Sequence, residues 1–256
     1  MFDPFRRSVP RKGTGMWPFV NPRPWDLTPE SGFAVLIDPV AVSQEAAREL
    51  RKAEWPGLSL MEDDFQMALL GEDADVASMA QSWFTTNRQA VASEVDRRAR
   101  SYGIDRLSGS VDTAVEEACV AYASGRYLTV VRILLPEFEA VARSLVNKRN
   151  SKAAVDGLLR LLQDVPMIRE DPIEAMSMFD FLSERLFASC RDESDAMARG
   201  EVPNRHAETH ALRSYGNLKG ASYILCGIDL LLRLAARHLD LSQPRPEAAP
   251  ITDAGC

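Results

Sequence analysis

The sequence predicts an all-α protein, and two observations carry that prediction. Apolar side chains recur every three or four positions through most of the 256 residues, which is the spacing of one helix face. Glycines, prolines and serines separate these runs as turns between helices would. A chain of this length can bury a large core, and we expect two units: a smaller, mainly helical N-terminal region and a C-terminal helical bundle.

The first 32 residues differ from the rest because six prolines alternate with aromatic side chains, among them Trp17 and Trp25. Proline fixes φ and lacks an amide donor, so residues 1–32 are predicted to form an extended arm. The aromatic side chains either pack on the body of the protein or bind a partner, and we favour packing. The apolar run at 33–37 is too short to distinguish a strand from a helical turn.

The N-terminal region, residues 33–105, is predicted to contain three helices. Ser43 caps the first, which ends before Pro56, and two more follow. Acidic residues within 62–75 lack the alternating carboxylates and central glycine of a calcium loop, so we interpret them as helix caps and solubilising groups. The glycine- and serine-containing stretch 101–110 is where we place the domain boundary.

The C-terminal region, residues 111–240, carries the clearest helical periodicity, and the proline-rich tail at 241–256 is predicted to be disordered. The predicted helices of the C-terminal region occupy residues 111–124, 126–146, 155–162, 173–187 and 212–239.

Pro136 interrupts the apolar spacing of the predicted helix 126–146. A proline inside a helix costs about 3 kcal/mol and removes a hydrogen bond, so we expect a kink or a break near Leu135. Glu139 and Arg143 lie one turn apart and can pair, which contributes only about 0.3–0.5 kcal/mol. Glu139 gains another significance only if it reaches the histidine segment described next.

Two of the chain's three histidines lie in one short segment, where Asn204, Arg205, His206, Glu208 and His210 cluster before the final helix. On a helix, side chains three to five positions apart face roughly one side. Imidazole exchanges protons near neutral pH and guanidinium binds phosphate with paired N–H groups, which are the requirements of a metal-independent ribonuclease. The spacing alone fits polar residues at a helix start equally well.

This segment resembles the terminal motif of bacterial HEPN-like helical proteins, which consists of arginine, a polar residue, three variable residues and histidine. Arg205, His206 and His210 match it position by position, and Tyr215-Gly-Asn and an apolar helix follow. The stretch 121–143 resembles the earlier helix pair of such domains. The resemblance covers roughly residues 111 to 240, and it departs from the pattern at Ala211, where many HEPN-like proteins have glycine.

The resemblance implies a HEPN-like bundle with endoribonuclease activity and a homodimer in which each subunit supplies half of the site. Arg205 would hold the scissile phosphate and His210 would act as general acid or base, with His206 as their polar neighbour. Asn204 and Glu208 would contact the substrate, with a solvent-facing or a motif-orienting position as the alternatives for Glu208. It implies neither a metal nor a cofactor, and it suggests a role in phage defence or as a toxin with an antitoxin. The alternative is a non-catalytic helical module for dimerisation or for binding a partner or RNA.

The net charge of −7 argues against a surface that binds nucleic acid all over, although it permits a local basic groove. Two basic clusters, at 97–100 and 148–152, either line such a groove or are solvated helix ends. The sequence contains no glycine-rich phosphate loop, hydrolase elbow or zinc-protease motif, so it does not favour those classes.

The chain has four cysteines, which are widely separated and form no C-x-x-C pair: Cys119, Cys190, Cys226 and Cys256. We therefore expect reduced thiols and no zinc site. No stretch reaches the roughly 18 apolar residues of a membrane span, and no apolar run follows the basic N-terminus. We therefore expect a cytoplasmic protein.

Overall fold

The structure is a computed structural model that describes residues 39–56, 58–102, 111–147, 151–162, 180–198 and 200–241. These residues form helices and include no strand, which confirms the all-α prediction for this part of the chain. None of the described helices is both long and apolar enough to cross a membrane.

Ten α-helices, one 3-10 turn and one π-helical turn are described. The α-helices are α1 (Pro39–Lys52), α2 (Asp63–Ala68), α3 (Val76–Thr86), α4 (Arg88–Ser101), α5 (Val111–Ala123), α6 (Tyr127–Val146), α7 (Ser151–Leu162), α8 (Glu193–Ala198), α9 (Arg205–Thr209) and α10 (Leu218–Leu241). The 3-10 turn is Leu58–Leu60 and the π-helical turn is Phe181–Leu186.

The N-terminal helices follow the predicted positions with two differences. The first begins at Pro39, earlier than Ser43, because proline suits the first turn of a helix. The third is divided at Asn87, whose side-chain Nδ2 donates to the Trp83 carbonyl at 3.1 Å and ends α3. The helix α4 begins at the next residue, Arg88.

Helices α6 and α10 form the centre of the bundle, with α5 and α7 packed against α6. At Gly227, α10 passes close to its neighbours, since an added Cβ would lie 3.0 Å from Phe181 and 3.2 Å from Phe138. The rings of Phe138 and Phe181 meet edge to face with centroids 5.9 Å apart. Glycine at this position allows the π-helical turn to pack directly on the backbone of α10.

Helix α6 continues through Pro136, so the alternative of a break near Leu135 is wrong. Pro136 cannot donate a hydrogen bond to the carbonyl one turn earlier, which is a local cost. Buried apolar side chains on both sides of the proline, including Leu134 and Phe138, pack in the core and offset that cost.

The hydrophobic core runs through both predicted units. It contains side chains from Val42 in α1 to Ala235 in α10, and α10 packs against α3 and α4 as well as α5 and α6. Across this junction the Asp229 carboxylate of α10 is 3.4 Å from the Arg98 guanidinium and accepts a 3.1 Å hydrogen bond from the Tyr102 hydroxyl. In the described residues, a single hydrophobic core therefore joins the predicted N-terminal region to the predicted C-terminal region.

Several predicted features lie outside the described residues. They are the arm at 1–32, the run at 33–37, the boundary stretch from 103 to 110, residues 148–150 of the second basic cluster, and the tail after Leu241. The predicted helix 173–187 is described only from Asp180, and from Phe181 to Leu186 it is π-helical.

Candidate functional site

Asn204 begins α9 and holds it in place. Its Oδ1 accepts a hydrogen bond from the Ala207 amide at 2.9 Å, which caps the helix. Its Nδ2 donates to the carbonyls of Arg185 at 2.6 Å and Ala188 at 2.9 Å, at the end of the π-helical turn. Asn204 is only 1% exposed, so contact with a substrate, the role expected from the sequence, would require these bonds to break. In this structure it positions the motif.

The other end of α9 is closed by a left-handed turn at Ala211. The Leu212 amide donates to the Ala207 carbonyl at 2.8 Å and the Ala211 amide to the Glu208 carbonyl at 3.2 Å, which is the Schellman arrangement. Ala211 has φ of +56°, a conformation that favours glycine. The residue that departs from the HEPN-like pattern thus keeps the backbone shape that glycine would provide.

Arg205 is paired with Glu139, which α6 brings to the histidine segment. The guanidinium Nη2 lies 2.7 Å from the carboxylate Oε1. The Glu139 side chain is 9% exposed, whereas that of Arg205 is 41% exposed. A buried carboxylate needs a partner, and this pair supplies it while leaving part of the guanidinium open to solvent. Glu139 therefore does reach the histidine segment, and its role goes beyond a local pair with Arg143.

Glu208 anchors α9 on the side facing the final helix. Its carboxylate accepts a 3.0 Å hydrogen bond from the Tyr215 amide, in the loop before α10. Its other oxygen lies 3.7 Å from the Arg132 Nε of α6. The orienting role considered from the sequence agrees with these contacts, and a solvent-facing role does not.

The two imidazoles of His206 and His210 lie side by side on the surface. Their ring centroids are 4.3 Å apart and the ring planes are tilted by 44°. Both residues are exposed, and in the described portion of the chain neither ring has a hydrogen bond or an ion pair. Their nitrogen atoms are thus accessible to a solute.

The charges around the motif offset one another. Arg205 pairs with Glu139 and Arg132 with Glu208, so two cations are matched by two carboxylates. A site of this kind attracts a polyanion less strongly at long range than a free basic groove would. A phosphate would therefore be held mainly by direct contact with the exposed part of a guanidinium.

The basic cluster at 97–100 is also paired with acids. Arg97 and Arg98 both bind Glu94, at 2.6 Å and 2.7 Å, and Arg100 binds Asp96 at 3.0 Å. These pairs lie one turn apart within α4 and satisfy its cations. Between the two alternatives for this cluster, the contacts favour helix side chains that are paired in place over a free basic groove.

The buried cluster around Asp229 was missed by sequence reasoning. Burial raises the pKa of Asp229 above its usual range, and the Arg98 charge and the Tyr102 hydroxyl oppose that shift. Arg98 also donates to the Ser59 carbonyl at 2.9 Å. The available signal was a single carboxylate inside the apolar run of α10, since such a residue usually has a buried partner.

The described cysteines are buried and free, and burial raises the pKa of Cys119 to about 12. Among the residues that the structure describes, no group of three or more histidine, cysteine or acidic side chains is arranged to hold a metal ion.

Comparison with known proteins found no family model, no curated protein and no solved structure that matches this chain.

Proposed function

We propose that this chain is a HEPN-type endoribonuclease that cleaves RNA without a metal ion. One observation carries the proposal: the buried Glu139 holds a partly exposed Arg205 at the start of α9, and His210 is exposed directly after the end of that short helix. A fixed cation and an accessible imidazole are the two groups that metal-independent phosphodiester cleavage requires.

In the proposed reaction the ribose 2′-oxygen attacks the adjacent phosphorus and the bond to the 5′-oxygen breaks. His210 accepts the proton of the 2′-hydroxyl or donates a proton to the leaving 5′-oxygen. Arg205 binds the non-bridging phosphate oxygens, on which negative charge grows in the transition state. The products are a 2′,3′-cyclic phosphate and a 5′-hydroxyl.

Glu139 has the role of a positioning residue in this proposal. A guanidinium carries five N–H donors in one plane, and the contact with Glu139 engages one nitrogen, Nη2. The ion pair restricts the rotation of a long side chain, so less conformational entropy is lost when a phosphate binds. The 41% exposure of the Arg205 side chain leaves room for that contact.

Cleavage needs one group to remove a proton and another to supply one, and each motif offers one His210. We propose a cytoplasmic homodimer in which two motifs face each other, with His206 as a polar neighbour of each base. A role in phage defence or as a toxin belongs to the same proposal and rests on the resemblance alone.

A non-catalytic helical module is the second candidate. The pairing of Arg205 and Arg132 with carboxylates and the net charge of −7 favour it, because both reduce the attraction of RNA. In this version the motif supports dimerisation or the binding of a partner protein or RNA.

The deciding experiment is incubation of purified protein with total cellular RNA in the presence of EDTA. We expect wild type to cleave, and His210→Ala and Arg205→Ala to lose at least about a hundredfold in rate, within the range of acid–base and charge-stabilising groups. Arg205→Lys should recover little, because an ammonium group cannot fork onto phosphate. His238→Ala, on α10, is the matched histidine control and should cleave like wild type.

Stability must be separated from catalysis in these variants. Arg205→Ala leaves the Glu139 carboxylate buried without its cation and should lower the free energy of unfolding by about 1–2 kcal/mol, less than for a fully buried pair because Arg205 is partly exposed. The double variant Arg205→Ala/Glu139→Gln should regain most of that loss and remain inactive. Cleavage by His210→Ala at the wild-type rate, in a preparation free of host nuclease, would rule out His210 as the catalytic group. Intact RNA after incubation with wild type would favour the second candidate.

A further inference from the structure

The exposed pair of imidazoles has a geometry that an acid–base role does not need. His206 and His210 are one helical turn apart, and their rings are in contact with centroids separated by 4.3 Å. Two histidines four positions apart on a helix present their nitrogen atoms on one face. A single general acid or base requires only one of them.

This spacing suits two nitrogen ligands of one metal ion. Zinc binds imidazole nitrogen at about 2.0–2.1 Å, so two such ligands on one ion lie about 3–3.5 Å apart. Rings that are already in contact can reach that separation by rotation about their side-chain torsions. Both ends of α9 are fixed, by the Asn204 cap and by the left-handed turn at Ala211, so the backbone that carries the pair is ordered before a metal binds.

We propose that His206 and His210 form a two-histidine site for a divalent transition-metal ion, with water completing the coordination. Imidazole suits Zn²⁺, Ni²⁺ and Cu²⁺, whereas Mg²⁺ and Ca²⁺ prefer oxygen ligands. The order of affinity should follow the general series, with Cu²⁺ above Ni²⁺ and Zn²⁺. Two protein ligands leave the remaining positions to water, so the ion is exchangeable.

The site stands independently of the ribonuclease proposal, but its consequence depends on that proposal. A metal ion on His210 occupies the nitrogen that would otherwise carry the catalytic proton. Transition-metal ions should then inhibit RNA cleavage in proportion to occupancy, while EDTA preserves it.

Binding is tested without RNA, on the untagged 256-residue chain kept reduced. Zn²⁺ titrated against a chromogenic chelator should bind one equivalent at the histidine pair. His206→Ala and His210→Ala should each weaken this binding at least tenfold, because each removes one of two ligands. His238→Ala is the control and should bind like wild type.

A second measurement needs no variant. The chain has three histidines, so its imidazole resonances can be resolved by NMR. Substoichiometric Ni²⁺ should broaden the two signals of the pair and spare that of His238. Equal broadening of all three, undiminished affinity in the double variant His206→Ala/His210→Ala, or no Zn²⁺ binding would overturn the proposal. A chain that binds metal but leaves RNA intact would instead contradict the ribonuclease alone.

Discussion

Ala211 shows how one residue sets the end of the motif helix. Its φ of +56° places an alanine in the left-handed region, which costs an L-residue about 1–2 kcal/mol. Glycine has no such cost but loses more entropy on folding, about 0.5–1 kcal/mol. We therefore predict that Ala211→Gly raises the free energy of unfolding by about 0.5–1 kcal/mol, measured by urea denaturation.

The matched comparison for Ala211 is Ala90→Gly, at an exposed position with ordinary helical conformation in α4. That change should lower stability, by up to about 1 kcal/mol. If both glycine variants lose stability by the same amount, the left-handed turn after His210 is not formed in solution.

Glu94 is the residue for which the structure defines a pH dependence. The hydrogen bond from Arg97 is the largest cause that lowers its pKa, to about 2, with a further contribution from Arg98. Because the folded pKa lies below the unfolded value, the stabilisation is complete above about pH 4.5 and is lost as the pH falls towards 2. The carboxylate is 35% exposed, so we expect less than about 1 kcal/mol from it.

We predict that Glu94→Gln reduces the loss of stability between pH 4.5 and 2 and leaves the pH profile above 5 parallel to that of wild type. Urea unfolding at a series of pH values measures this. A variant profile that parallels wild type throughout the acid range would show that the Arg97 and Arg98 contacts do not stabilise the charged form.

At the scale of elements, the approach of α10 to its neighbours depends on Gly227. Glycine to alanine inside a helix normally stabilises by about 0.5–1 kcal/mol. Here the new Cβ would lie 3.0 Å from Phe181 and 3.2 Å from Phe138, so rings or backbones must shift. We predict that Gly227→Ala lowers stability by about 1–3 kcal/mol, read from the urea midpoint. A gain of stability would mean that the π-helical turn does not pack on α10.

The local spacing of apolar residues predicted most helices. It could not predict how contacts between residues distant in the chain affect those helices. The cost of Pro136 is visible in the sequence, whereas the packing of Leu134 and Phe138 that offsets it depends on the assembled bundle. The sequence predicts an ordinary amphipathic helix where the structure has the π-helical turn from Phe181 to Leu186, because apolar spacing over six residues does not distinguish the two.

Only part of the candidate site could be predicted, because the rest depends on contacts between residues that are distant in the chain. Motif spacing placed Arg205, His206 and His210 close together, and in the structure Arg205 and His206 lie in α9 while His210 caps its end. The pairing of Arg205 with Glu139 was not predicted, because Glu139 is distant in the chain and Arg143, one turn away from it, is its local alternative partner. Asn204 was expected at the substrate because a polar side chain in a motif does not reveal whether its hydrogen bonds are satisfied inside the protein.

At the scale of the molecule, the two predicted units share one core. Helix α10 buries side chains against α3 and α4, and Asp229 meets Arg98 and Tyr102 there. A fragment of residues 103–256 would expose that apolar surface and leave the Asp229 carboxylate without two of its partners. We predict that this fragment lacks cooperative unfolding by near-ultraviolet circular dichroism, whereas the full chain unfolds in one transition.

Co-expression of residues 1–102 with that fragment is the informative control, since two pieces of one core should restore the cooperative signal. A fragment that unfolds cooperatively by itself, with stability near that of the full chain, would instead support the two-unit organisation expected from the sequence.

The buried polar groups of α10 define its rotation about its own axis. Apolar side chains on several faces of this helix would tolerate a small turn, but Asp229 must face Arg98 and Tyr102, and the Ser222 hydroxyl must stay within 2.6 Å of the Tyr122 hydroxyl. A slip of one residue rotates a helix by about 100° and would bring the carboxylate against hydrocarbon. These polar contacts therefore allow only one rotational position of α10 in the bundle. That position also determines where the loop before α10 meets the motif.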